Sequence, residues 1–191
     1  MFNESSQDDS FMMINIVLLG KSSVGKTALI YRFINEKYPE EHDPTDEDHY
    51  YTRKTIEKLE FKLDILDTGG IEDYKNYLDK WIEFGSCFIL VYSIDDINSF
   101  KELKANCELI FQIKKKEAFS IILLGNKCDL ESERKVTEEE GKKFAKSKGI
   151  LFLETSALNN YNISEVFDKV IKDYLKKPGS KINKKGSCKC C

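Results

Sequence analysis

The eight residues Gly20–Thr27, "GKSSVGKT", constrain this chain more than any other stretch. They match G-x-x-x-x-G-K-[ST] and follow "FMMINIVLL", an apolar run short enough to be a buried strand. After them comes "TALIYRFINEKY", where Leu29, Ile30, Phe33 and Ile34 recur on one helical face. A glycine-containing loop between strand and helix turns backbone N–H groups toward an anion at the positive helix end. In that setting Lys26 neutralises phosphate oxygens and the Thr27 hydroxyl is offered to Mg²⁺. Gly20, Ser23, Val24, Gly25 and Ala28 are the cradle residues expected around the phosphates. The motif says nucleotide without saying which.

The rest of the chain alternates between two periodicities. "TRKTIEKLEF" switches polar and apolar, predicting a half-exposed strand, and "KLDILD", "CFILVYSI", "SIILLGN" and "ILFLETSA" predict four more. "NSFKELKANCELIFQIKK" predicts a long amphipathic helix opened by an Asn or Ser cap. "TEEEGKKFAKSKG" opens on a Thr–x–x–Glu capping box and closes on Gly149. "ISEVFDKVIKDYLKK" predicts a last helix, stopped by Pro178 and Gly179. Strands alternating with helices predict an α/β domain: a six-stranded, mostly parallel sheet with helices on both faces, the P-loop NTPase fold. That domain is expected over residues 13–177, after a flexible extension at 1–12 and before a tail at 178–191.

Charge divides the chain unevenly. Lysine and arginine number 30 against 33 acids, a formal −3. Between Lys176 and Cys191 there are six lysines and no acid, which leaves −9 for residues 1–175. An acidic body argues against nucleic acid as a partner. Of the cysteines, Cys87, Cys107 and Cys128 are scattered while Cys188, Cys190 and Cys191 crowd the end. That spacing is no disulfide framework and points to a reducing compartment. Residues 1–10 are polar and acidic, unlike a secretory leader, and no apolar run approaches the ~20 residues that span a bilayer.

A second motif selects the base. "NKCD", Asn126–Asp129, directly follows "IILLG", at the carboxyl-end edge where α/β sheets bind ligands. The Asp129 carboxylate is able to accept from both N1–H and the 2-amino group of guanine, and adenine presents no such pair. The wrong base leaves that acceptor unpaired, a penalty of about 1–3 kcal/mol or more. Asn126 and Lys127 complete the motif, and "ETSA", Glu154–Ala157, adds backbone contacts through Ser156 and Ala157.

In this order the motifs resemble the Ras-type small GTPases over residues 13–175. "HDPTDEDHY" resembles the Ras-branch switch I and effector segment: His42, Asp43, Pro44, Thr45, Asp46, Glu47, Asp48, His49 and Tyr50. The resemblance implies a monomer that binds GTP and GDP with Mg²⁺. It implies that Thr45 closes on Mg²⁺ and the γ-phosphate, that Asp67 of "DTGG" reaches Mg²⁺ through water, and that the Gly70 N–H senses the γ-phosphate. Tyr38 falls where the family places an aromatic ring across the guanine. Implied partners are an exchange factor, a GTPase-activating protein and effectors, all working through switches I and II.

The chain departs from the family at four positions. Ile71 stands where a glutamine orients the attacking water, Gly69 where an alanine is usual, Ser22 where a glycine is common, and Leu158 where "ETSA" usually ends in lysine. Catalysis of this reaction is nearly all positioning and charge stabilisation, and isoleucine has no donor or acceptor for the water. Lys26, Thr45 and Gly70 then remain as the catalytic groups, so the expectation is a switch with slow hydrolysis. The alternative is a pseudo-GTPase scaffold that holds GTP.

The tail "KKPGSKINKKGSCKCC" reads as a C-a-a-X box with Cys188 prenylated, or as a double-cysteine end with the lipid on Cys190 and Cys191. One prenyl group anchors weakly, and each lysine adds ~1 kcal/mol toward anionic lipid. The expected location is the cytoplasmic face of the plasma membrane.

Overall fold

Strand β1 (Met12–Leu19) divides its side chains between two cores, one on each face of the sheet. Ile14, Ile16 and Leu18 join the core completed by α1 (Lys26–Asn35) and α5 (Ile163–Lys176). Val17 and Leu19 join the other, completed by α2 (Leu78–Phe84), α3 (Ile97–Ile113) and Ala145 of α4 (Glu138–Lys148). β4 (Cys87–Ser93) and β5 (Ser120–Asn126) are buried at every position, as continuous apolar runs are in a sheet covered on both sides. In this computed structural model, which describes residues 12–39, 47–70, 75–115 and 117–180, the sheet order is β2-β3-β1-β4-β5-β6. β2 (Glu47–Ile56) and β3 (Leu59–Thr68) pair antiparallel, and the remaining pairs, out to β6 (Leu151–Glu154), are parallel. This is the expected P-loop fold.

Local signals place most elements. The Thr137 hydroxyl accepts from the Glu140 N–H at 3.2 Å while the Glu140 carboxylate accepts from the Thr137 N–H at 2.8 Å, closing the predicted capping box. Gly149 ends α4 in the left-handed region at φ 65°. On α1 and α5 the rings of Phe33 and Phe167 stack 3.7 Å apart.

The structure corrects several expectations. The stretch 52–61 is not one strand: β2 ends at Ile56 and β3 begins at Leu59. Glu57 and Lys58 form the turn between them with φ of 51° and 69°, the mirror-image type that suits hairpin twist. Glu-Lys is a poor match to the Asn-Gly signature of such turns, so alternation on both sides reads as continuous. α1 stops at Asn35, because Glu36 turns left-handed at φ 57°, which puts Tyr38 beyond the helix. The cap of α3 is neither Asn98 nor Ser99 but Asp96, whose carboxylate accepts from the Asn98 N–H at 2.9 Å. β1 also begins at Met12, one residue inside the extension expected from sequence.

Candidate functional site

β1 lies between β3 and β4, so the chain leaves its carboxyl end at the point where strand order reverses. The loop there is packed too closely for side chains at two positions. A Cβ on Gly20 would sit 2.2 Å from the Val91 carbonyl oxygen, and one on Gly25, at φ 96°, would sit 2.5 Å from Asn126 Nδ2. Ser23 is left-handed at φ 64° without being glycine. Val24 is buried and Ala28 half-buried at the start of α1. Lys26 is 6% exposed, and its ammonium donates to the carbonyls of Gly20 at 3.0 Å and Lys21 at 3.1 Å, so it spans the loop from within. Lys21 reaches Asp96 at 3.4 Å and ties the loop to the cap of α3. Burial pushes the Asp96 carboxyl up, but the Asn98 N–H and the Lys21 charge outweigh it and hold it below the usual range.

The side of the site expected to take a cation is set by register. Leu18 pairs with Asp67, which puts a fully buried carboxylate beside the loop that follows β1. The Thr27 hydroxyl donates to Asp67 Oδ2 at 2.5 Å, and the Thr68 hydroxyl pins the end of β3 to the Leu18 carbonyl at 2.8 Å. A hydroxyl and a buried carboxylate are the hard oxygen donors that Mg²⁺ and its bound water take, so the residue types present fit that ion. Gly69 and Gly70 follow, both buried. Thr45 and the rest of 42–46 lie outside the described residues, as do Ile71 and Cys188, Cys190 and Cys191.

The residues expected to select the base converge from two loops. Asn126, 1% exposed, donates through Nδ2 to the Val24 carbonyl at 2.8 Å and accepts at Oδ1 from the Thr155 hydroxyl at 3.1 Å. Its amide therefore joins three motifs: the phosphate loop, "NKCD" and "ETSA". Lys127 turns left-handed at φ 62°, and Asp129 accepts at Oδ1 from the Ser156 hydroxyl at 2.5 Å. The sequence predicts only backbone contacts from "ETSA"; in the structure the Thr155 and Ser156 hydroxyls also reach Asn126 and Asp129. Ala157 is buried, while Leu158 is exposed. Tyr38 is 44% exposed, with the Arg32 guanidinium 5.9 Å from its ring centre. Arg32 also donates to the carbonyls of Ala157 at 2.9 Å and Leu158 at 2.7 Å.

Of the expected effector segment, Glu47, Asp48, His49 and Tyr50 lie on β2, the edge strand, rather than in a loop. Glu47 accepts from the Trp81 indole N–H at 2.8 Å, linking β2 to α2 beside a cleft of about 310 Å³ lined partly by Tyr77 and Phe84. His49 Nδ1 lies 2.7 Å from Asp64 Oδ1, and burial followed by the Asp67 and Asp48 charges pushes the Tyr50 phenol up. Arg32 and Trp81 were not legible as site residues. Their partners lie 125 and 34 positions away, and neither belongs to a motif.

Comparison with known proteins agrees with this geometry. The Ras family model matches residues 15–176. The chain is 42% identical over 175 residues to the Ras-like protein rasB of Dictyostelium discoideum, covering 90% of this chain and 89% of that one. It is 39% identical over 162 residues to the GTP-binding protein Rit1 of Mus musculus, covering 85% and 74%. With the phosphate loop, the cation pair and the base loops arrayed along one edge of the expected sheet, the chain belongs to the Ras family of small GTPases.

Proposed function

We propose that this chain is a GTP/GDP-regulated switch that signals from a membrane and hydrolyses GTP slowly. The observation that carries the reading is the convergence of Lys26, the Thr27–Asp67 pair and the Ser156–Asp129 pair on one sheet edge. Lys26 offsets phosphate charge from inside the loop. Thr27, Thr45 and, through water, Asp67 would hold Mg²⁺, which would neutralise charge on the terminal phosphates. Asp129, oriented by Ser156, selects guanine. Thr45 and the Gly70 N–H answer to the γ-phosphate, ordering the switch segments that effectors, an exchange factor and a GTPase-activating protein read. Glu47–Tyr50, on an open strand edge, supply the described part of the effector face. The basic tail, prenylated at Cys188 or at Cys190 and Cys191, holds the domain on anionic membrane.

Ile71 favours a second reading, a scaffold that stays GTP-bound, because no side chain there orients water. Single-turnover GTP hydrolysis separates the two, with Ile71→Gln beside the unmodified protein and with cell extract supplying activators. The switch reading expects slow but measurable hydrolysis that extract accelerates. It also expects Ile71→Gln to be faster by about tenfold or more. Unmodified protein no slower than the glutamine variant would refute the role given to Ile71, and no hydrolysis under any condition would leave the scaffold.

A further inference from the structure

We infer that Arg32 is a positioning residue that ties the two walls of the base site together and so sets how long a guanine nucleotide stays bound. This rests on the reading of the site given above. One wall is the turn after α1 that carries Tyr38; the other is the loop after β6 that carries Ser156 and Ala157. Arg32 touches both. Its Nε donates to the Ala157 carbonyl at 2.9 Å and its Nη2 to the Leu158 carbonyl at 2.7 Å. Its Nη1 donates to the Glu36 carbonyl at 3.0 Å, and the Glu36 N–H returns a bond to the Arg32 carbonyl at 3.0 Å. Glu36 is the left-handed residue that ends α1, so the same side chain fixes the turn from which Tyr38 departs. The guanidinium lies 5.9 Å from the Tyr38 ring centre, within cation–π reach.

Neither wall is secured by burial alone. Tyr38 is 44% exposed and Leu158 54% exposed, so packing does not dictate where they sit. The second wall has its own internal closure, the Ser156–Tyr161 bridge, and Ser156 in turn holds Asp129 at 2.5 Å. Arg32 joins that wall to Tyr38: the ring it faces is six positions along the chain, and the Ala157 carbonyl it binds is 125 positions away. Only a planar fork presents three N–H groups to three separated carbonyls at once, a task a lysine point charge performs poorly. Leu158 brings no charge to this loop, and the Arg32 charge reaches it from the α1 side.

For release, a base held between Tyr38 and the "ETSA" loop requires the walls to part, which breaks the fork. Three charge-assisted bonds, each partly solvated, are expected to slow release by about ten- to thirtyfold together. The test is the dissociation rate of fluorescent N-methylanthraniloyl-GDP, chased by unlabelled GDP in excess Mg²⁺, from the full chain. Arg32→Ala should release it about ten- to thirtyfold faster with an association rate changed less than about twofold, and Arg32→Lys should fall between. Arg32→Ala combined with Tyr38→Leu should be less than additive, because the arginine acts partly through that ring. A residue that only stabilised the fold would show no such coupling. Should Arg32→Ala melt below the assay temperature, Arg32→Lys at 10 °C carries the same comparison. Release at the unmodified rate, or strict additivity with Tyr38→Leu, would overturn the inference. Unmodified protein that binds no guanine nucleotide would instead overturn the reading of the site, and this inference with it.

Discussion

Replacing Asn126 with alanine removes a side chain that joins the Val24 loop to the loop that carries Thr155. Its amide is 1% exposed and makes two bonds, to the Val24 carbonyl at 2.8 Å and from the Thr155 hydroxyl at 3.1 Å. Val24 is 2% exposed and Thr155 fully buried, so neither orphaned group reaches water. An unsatisfied buried polar group costs about 1–3 kcal/mol, and the threonine hydroxyl is free to rotate, which places the total near 2–4 kcal/mol. For a domain of this size each kcal/mol moves Tm by about 2–4 °C, so Asn126→Ala should melt about 4–16 °C lower. The assay is circular dichroism of nucleotide-free protein, which keeps ligand linkage out of the comparison. Asn126→Asp is the control: it keeps the acceptor for Thr155 but turns a carboxylate oxygen on the Val24 carbonyl, and should lose at least as much. A fall below about 2 °C in both variants would refute the claim that this amide knits the three loops.

Asp129→Asn should shift preference from guanine toward xanthine nucleotides, checked by competition against labelled GDP; unchanged preference would remove Asp129 as the selector. Gly25→Ala, forced to φ 96° with its Cβ 2.5 Å from Asn126 Nδ2, should weaken GDP binding by about tenfold or more, measured by equilibrium titration. Burial pushes the Cys107 thiol to about 11, and Cys87 well above its usual value. Since the thiolate is the nucleophile, alkylation of folded protein at pH 8 should spare both, and Cys107 should become reactive as pH rises toward 11, read by peptide mass mapping. Intact-mass measurement of protein from eukaryotic cells should show a prenyl adduct, lost in Cys188→Ser if the box reading of the tail holds.

What was legible in the sequence was whatever local chemistry dictates. Gly20, Gly25, Lys26 and Thr27 announce themselves because a phosphate cradle needs those residue types at fixed spacing, and Thr137, Glu140 and Gly149 because helix ends need caps. The covered strands β4 and β5 show as apolar runs. Other features depend on tertiary partners. The Glu57–Lys58 turn adopts positive φ at two residues that seldom mark such turns, because the antiparallel pairing around it imposes the geometry. Asp96 displaced Asn98 and Ser99 as the cap because the Ser99 hydroxyl is spent on the Asp96 carbonyl at 2.7 Å and the Ser93 N–H at 3.1 Å. Arg32 and Trp81 become site residues only when the fold brings Ala157 and Glu47 to them.

The account stands on guanine nucleotide being the natural occupant of the edge where Lys26, Asp67 and Asp129 meet. The most direct measurement is to purify the full chain from cells in Mg²⁺-containing buffer, denature it, and separate the released nucleotides by ion-exchange chromatography. The account predicts GDP and GTP in stoichiometric amount, with none released from protein stripped by EDTA before denaturation. Adenine nucleotide in their place, or no nucleotide from folded, Mg²⁺-replete protein, would contradict it.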